Sequence, residues 1–92
     1  MLILLAVGRE DGPEDLRFVV DKCANLRIFE DGGGKMNRSL LDTAGEALVV
    51  SQFTLYGDVR RGRRPGFSDA AAPETAEPTY EQFAQSLRDL GI

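Results

Sequence analysis

Glu46-Ala47-Leu48-Val49-Val50-Ser51-Gln52-Phe53-Thr54-Leu55-Tyr56 is the stretch whose reading decides the fold. After Glu46 it is an apolar, β-branched run, which predicts a buried strand. At Ser51, Gln52 and Thr54 polar side chains interrupt it, so the strand leaves the core and can present hydroxyls, a carboxamide and backbone N–H groups at the edge of a pocket. Arg60, Arg61, Arg63 and Arg64 follow, four arginines in five positions around Gly62. A candidate reaction centre therefore lies close in sequence to a candidate phosphate grip.

Working outward, 92 residues with 42% hydrophobic content predict one small domain spanning residues 1–92, near the lower limit for a self-sufficient core. The net charge of −4 argues against a diffuse nucleic-acid surface, but the basic residues crowd into one loop while the acids are dispersed. One cysteine, Cys23, rules out an internal disulfide and fits a reducing cytosol. Histidine is absent. This removes the Ser-His and Cys-His nucleophile pairs and the usual catalytic zinc sites. Cys23 falls on an apolar helix face and reads as a small buried hydrophobe.

Before the central stretch, Met1 to Val7 is an apolar run too short to span a membrane and without a cleavage site; it predicts a buried strand with neighbours on both sides. Asp11-Gly12-Pro13 starts a helix, with Leu16, Val19, Val20, Cys23 and Leu26 on one face. Asp31-Gly32-Gly33-Gly34-Lys35 predicts a hairpin tip between Ile28-Phe29 and Met36-Asn37; no Gly-Lys-Ser/Thr follows, which disfavours a phosphate loop. Asp42 to Gly45 is a second turn. The loop from Gly57 to Pro73 is long for so small a domain, which marks it as either functional or disordered, and its arginines favour function. A last helix carries Tyr80, Phe83, Ala84, Leu87 and Leu90 on one face, with Pro78 opening its main part after a preliminary turn and Gly91 as its stop.

Leu26 to Asp31, Gly34 to Asn37, Ser51-Gln52-Phe53-Thr54-Leu55, Gly62-Arg63-Arg64-Pro65, Phe67 and Ala76-Glu77-Pro78 together resemble the D-aminoacyl-tRNA deacylase family, formerly D-tyrosyl-tRNA deacylase. The resemblance runs in order along essentially the whole chain. It implies an α+β (α/β) fold with a mainly antiparallel, barrel-like sheet and two packed helices. The implied activity is hydrolysis of the ester joining a D-amino acid to the 3′ end of tRNA, or glycine mischarged on tRNA-Ala, as translation quality control. It further implies a cytoplasmic homodimer that needs no cofactor or metal and acts on neither DNA nor membranes.

On this resemblance Ser51, Gln52, Phe53 and Thr54 are the catalytic stretch. Backbone N–H groups from Gln52 to Thr54 stabilise the oxyanion, and the substrate's ribose 2′-hydroxyl assists the water. Thr54 is a positioning residue first and a nucleophile second, since an unassisted threonine hydroxyl lacks a base. Met36 is a pocket wall or a packing residue. Arg60, Arg61, Arg63 and Arg64 suit tRNA phosphates, with Arg63 and Arg64 having the alternative of pairing with acids inside the fold. Two features of the family are missing from the sequence: a strand before the apolar run and a later Gly-Pro segment that rejects L-amino acids. The stretch therefore reads as the central part of a deacylase, with weak activity and little chiral preference by itself. A non-catalytic tRNA-binding module and a remnant with neither property are the alternatives.

Overall fold

The computed structural model describes residues 1–92. Its elements are β1 (Leu2–Leu5), α1 (Pro13–Asn25), β2 (Phe29–Glu30), β3 (Met36–Arg38), β4 (Leu48–Ser51), a 3-10 turn (Phe53–Tyr56) and α2 (Pro73–Asp89).

The first apolar run and the central stretch find each other. β1 pairs with β4 in parallel, with Leu2 opposite Leu48, Ile3 opposite Val49, Leu4 opposite Val50 and Leu5 opposite Ser51. The only antiparallel ladder is the short hairpin of β2 and β3, and these two pairs form separate two-stranded sheets. The expected antiparallel barrel is thus corrected. The connection from β1 passes through α1 and the hairpin before returning, and such a long crossover allows the return strand to run in the same direction.

Because side chains alternate along a strand, the β1–β4 ribbon has two unlike faces. Ile3 is buried and packs in a cluster with Val20 of α1 and with Phe83 and Leu87 of α2, with Leu5 and Val49 against it. Each such burial contributes about 1.5–3 kcal/mol. The other face leaves Leu2, Leu4, Leu48 and Val50 exposed. Both strands are therefore half-buried rather than buried, and β1 has a neighbour on one side only. Only 9 of 92 residues are buried. The radius of gyration is 15.3 Å, against about 12 Å for a compact chain of this length. The molecule is elongated, with an open apolar sheet face.

The helices follow their sequence signals with small shifts. In α1 the buried residues are Val20 and Ala24, while Val19 and, just past the helix, Leu26 are exposed. At its start the Gly12 N–H donates to the Asp15 carboxylate at 2.8 Å, satisfying one amide that the helix cannot. α2 begins at Pro73 and runs through Pro78 without a break. Pro78, the sixth residue of the helix, has no N–H to donate to the Glu74 carbonyl, so α2 gives up one backbone bond there. Its C-terminus closes as expected: Gly91 has φ +91°, its N–H donates to the Arg88 carbonyl at 2.9 Å, and the Ile92 N–H donates to the Leu87 carbonyl at 3.1 Å. Leu90, expected on the apolar face, is exposed.

Two turns are held by carboxylates. Asp31 accepts from the N–H groups of Gly33 and Lys35 and from the Asn37 side chain at 2.8, 3.0 and 2.8 Å. These donors hold its carboxyl below the usual carboxylate range. Asp42 and Ser39 exchange bonds between side chain and backbone N–H at 2.9 and 3.0 Å, which also lowers the Asp42 pKa. Cys23 is half-buried, and burial pushes its thiol up. No helix is long and apolar enough to cross a membrane.

Candidate functional site

The central stretch changes conformation where its polar residues begin. Ser51 is the last residue of β4, and the Gln52 N–H still reaches across to the Leu5 carbonyl at 2.8 Å. The chain then coils into the 3-10 turn instead of continuing as a strand, correcting the extended reading of Phe53 to Tyr56. Phe53 and Thr54 open that turn, where no preceding helical carbonyl is available to their N–H groups. The Gln52 side-chain amide donates to the Thr54 hydroxyl. Gly8 allows the turn to sit over the end of β1, since a Cβ there would lie 2.6 Å from the Tyr56 hydroxyl.

A cavity of about 610 Å³ opens beside this transition. Ser51 and Phe53 form one wall, Phe67 and the Ala70–Ala72 run another, and Ala76, Glu77 and Tyr80 of α2 the third. Phe53 meets Phe67 edge to face, with ring centroids 5.2 Å apart and planes at 72°. The Tyr80 hydroxyl donates to the Val49 carbonyl at 2.8 Å, tying α2 to β4. Glu77 is the only ionisable carboxylate in the lining. The interior is otherwise mainly apolar.

The loop from Gly57 to Pro73 forms the neighbouring feature. Asp58 and Gly66 exchange backbone bonds at 2.7 and 2.8 Å, pinching the loop at its neck. At its tip Gly62 turns the chain with φ +69°. Further along, the Arg9 guanidinium donates to the Ser68 carbonyl at 2.8 Å, its N–H to the Asp69 carbonyl at 3.0 Å, and the Ala71 N–H to the Val7 carbonyl at 2.8 Å. These bonds anchor the loop's second half to the chain after β1. Between neck and tip lies a polar cleft of about 570 Å³ lined by Asp58, Arg60, Arg61, Arg64, Gly66 and Ser68.

Of the residues singled out in the sequence, Ser51 and Phe53 line the cavity, and Gln52 and Thr54 lie beside it outside the lining. Thr54 is exposed. Arg60, Arg61 and Arg64 share the cleft, and Arg63 is outside its lining. The acid pairing considered for Arg63 and Arg64 falls on Arg60 instead, whose guanidinium meets Asp58 at 2.7 Å. Met36 is 65% exposed on β3 and lines neither space. Sequence reasoning did not assign Tyr80, Glu77 and the Ala70–Ala72 run to the site. Three alanines ahead of Pro73, followed by small Ala76 one helical turn on, were the available signal: small side chains leave room. No group of three or more His, Cys, Asp or Glu side chains is gathered as a metal would require.

The structure thus sets a mainly apolar cavity walled by two phenylalanine rings beside a cleft lined by three arginines. The family model described as D-Tyr-tRNA(Tyr) deacylase matches residues 1–92, and the chain belongs to that family. It is 53% identical over its whole length to the D-aminoacyl-tRNA deacylase of Fervidobacterium nodosum, spanning 62% of that protein. It is 62% identical over its whole length to that of Roseiflexus castenholzii, spanning 59% of it. The chain thus covers about three fifths of these relatives. A solved structure described as c-Myc DNA Unwinding Element Binding Protein superposes with a TM-score of 0.88 at 42% identity, covering 96% of this chain and 59% of that one. A probable eukaryotic D-amino acid tRNA deacylase superposes with a TM-score of 0.75 at 26% identity, covering 99% of this chain and 53% of the other.

Proposed function

We propose that the chain carries the ester-hydrolysing site of a D-aminoacyl-tRNA deacylase, with the aminoacyl side chain in the cavity and the tRNA end on the arginine loop. The observation that carries this reading is the juxtaposition of the two spaces on either side of the loop from Gly57 to Pro73, beside the β4 terminus. An aminoacyl ester is already activated. Its hydrolysis requires a positioned water and donors for the developing oxyanion rather than a strong nucleophile. The N–H groups of Phe53 and Thr54 are those donors. Ser51 and the Gln52–Thr54 side-chain pair orient the carbonyl and water, and the substrate's 2′-hydroxyl assists the proton transfer. Water oxygen bonds to the carbonyl carbon, the tetrahedral intermediate collapses, and the 3′ oxygen leaves with a proton. Glu77 is suited to the α-ammonium that every aminoacyl ester carries.

Glycyl-tRNA is the second expected substrate, and the cytoplasm is where either would be met. Homodimerisation is part of the proposal, and the exposed face of Leu2, Leu4, Leu48 and Val50 supports it as a surface that a second copy can cover. The test is hydrolysis of D-tyrosyl-tRNA by this chain, alongside a substrate ending in 2′-deoxyadenosine. A much slower reaction of the deoxy substrate is expected. Equal rates would remove the 2′-hydroxyl from the mechanism and return Thr54 to the place of nucleophile. A non-catalytic tRNA-binding module is the second reading, favoured by the arginine cleft being a separate space from the cavity; binding without hydrolysis would select it.

A further inference from the structure

The four arginines of the loop are not equivalent. Arg60 is engaged within the protein: its backbone N–H and Nε both donate to Asp58 Oδ1 at 3.0 and 2.9 Å, and Nη2 donates to Asp58 Oδ2 at 2.7 Å. Both carboxylate oxygens are used. Asp58, through its backbone, also exchanges the two bonds with Gly66 that close the neck. Asp58 thus holds Arg60 on one wall of the cleft and Gly66 on the other. Arg61 and Arg64 also line the cleft, and neither has a hydrogen bond or ion pair from its guanidinium to any protein group.

We propose that Asp58 is a positioning residue that fixes Arg60 as part of the loop's framework, and that Arg61 and Arg64 are the pair that neutralises substrate phosphate. The inference rests on the proposed binding of a tRNA end and adds a division of labour within it. A planar guanidinium held by a fork of bonds to a carboxylate is pre-spent: phosphate can recruit it only by displacing Asp58. The mutual stabilisation of the pair, which lowers the Asp58 pKa to about 2, agrees with this. Free guanidiniums need no such exchange. The cleft is left with two unpaired cations and the Ser68 residue on its wall, a match for adjacent phosphodiesters.

Simple electrostatics and this proposal predict opposite signs for one variant. If Asp58 merely competes with phosphate for Arg60, Asp58→Asn frees a cation: tRNA binding tightens and the log–log salt slope steepens by about 0.7. If Asp58 positions the loop, Asp58→Asn weakens binding severalfold while the slope stays unchanged. Arg61→Ala and Arg64→Ala should each reduce the slope by about 0.7, and Arg60→Ala should leave it unchanged. Pyrophosphate titration followed on the arginine Nε–H resonances gives a readout that does not depend on tRNA. The Arg61 and Arg64 signals should move, and that of Arg60 should stay put. Movement of the Arg60 signal with its partners, an unchanged slope in both Arg61→Ala and Arg64→Ala, or tighter binding by Asp58→Asn each overturns the proposal. If tRNA does not bind but pyrophosphate moves Arg61 and Arg64 alone, the tRNA reading falls and the assignment of the anion pair stands.

Discussion

The cavity and the cleft are separated by the thickness of one chain. Phe67 lines the cavity, while its neighbours Gly66 and Ser68 line the cleft. Alternation along this segment puts an aromatic ring on one side and polar groups on the other. The two spaces have similar volumes, about 610 and 570 Å³, so size does not distinguish them. Chemistry does. The cavity is defined by shape, from aromatic rings and alanines, and its donors are backbone groups fixed by the turn. The cleft is defined by charge, from exposed arginines, and its order depends on one carboxylate. On the proposed function, loss of a single donor in the first should change rate, and loss of a cation in the second should change salt-dependent affinity.

Phe53→Pro should separate the two most sharply. It removes a proposed oxyanion donor, and Gln52, at φ −145° and ψ 83°, lies outside the α region that a following proline disfavours. A fall in kcat of about 100-fold or more is expected, with tRNA affinity unchanged. Phe53→Leu keeps the N–H and should be much milder. A comparable loss in both would assign the effect to the ring and its contact with Phe67.

Glu77→Gln tests the one charged element in the cavity lining. A hydrogen bond to a charged group contributes about 1.5 kcal/mol at the lower end, so KM for the aminoacyl ester should rise about tenfold with kcat nearly constant. The salt slope should not change, because Glu77 does not face the cleft. A change in slope would join the two spaces into one.

Tyr80→Phe loses the bond to the Val49 carbonyl and should lower stability by about 1 kcal/mol. The denaturant midpoint should fall with an unchanged m-value. A shift confined to activity, with stability intact, would make Tyr80 a substrate contact instead of a brace.

The smallest expected effect is on acid stability. Asp31, Asp42 and Asp58 have pKa values below the usual carboxylate value of about 3.9. Their stabilisation is complete above that pH and is lost as the pH falls through the lowered folded values, for Asp58 about 2. Between about pH 4 and 2 the loop neck should loosen, read as a fall in the protection of the Gly66 amide relative to its intrinsic exchange at each pH, a fall that Asp58→Asn should not show. The Phe53 and Phe67 ring resonances should keep their dispersion to lower pH than the loop keeps its order. Loss of both together would show that the neck supports the cavity.

Much of this arrangement was legible residue by residue, while the relations between distant residues were not. Helical spacing exposed α1 and α2, and Asp31 with its glycines announced the hairpin. The direction of the β1–β4 pairing was invisible because a strand's alternation is the same whether its neighbour runs parallel or antiparallel. Phe53, Thr54, Leu55 and Tyr56 all suit strands, yet they form a 3-10 turn; tertiary context overrides such preferences. The arginine cluster was plain in the sequence, but its division was not: Asp58 is an ordinary acidic residue until Gly66 folds against it. Tyr80 read as core because its helix face is apolar, and only its hydroxyl reveals the brace to β4.

The most direct test of the two-space account is to compare hydrolysis of D-tyrosyl-tRNA with that of D-tyrosyl-adenosine, which has no phosphate, at 50 and 200 mM salt. With two phosphates neutralised by Arg61 and Arg64, kcat/KM for the tRNA substrate should fall about sevenfold across that range. The adenosine ester should be nearly indifferent to salt. Replacing both arginines by alanine should abolish the difference by lowering only the tRNA reaction at low salt. Equal salt dependence for both substrates, or an equal loss on both in the double variant, would contradict the assignment of acyl group and phosphate to separate spaces.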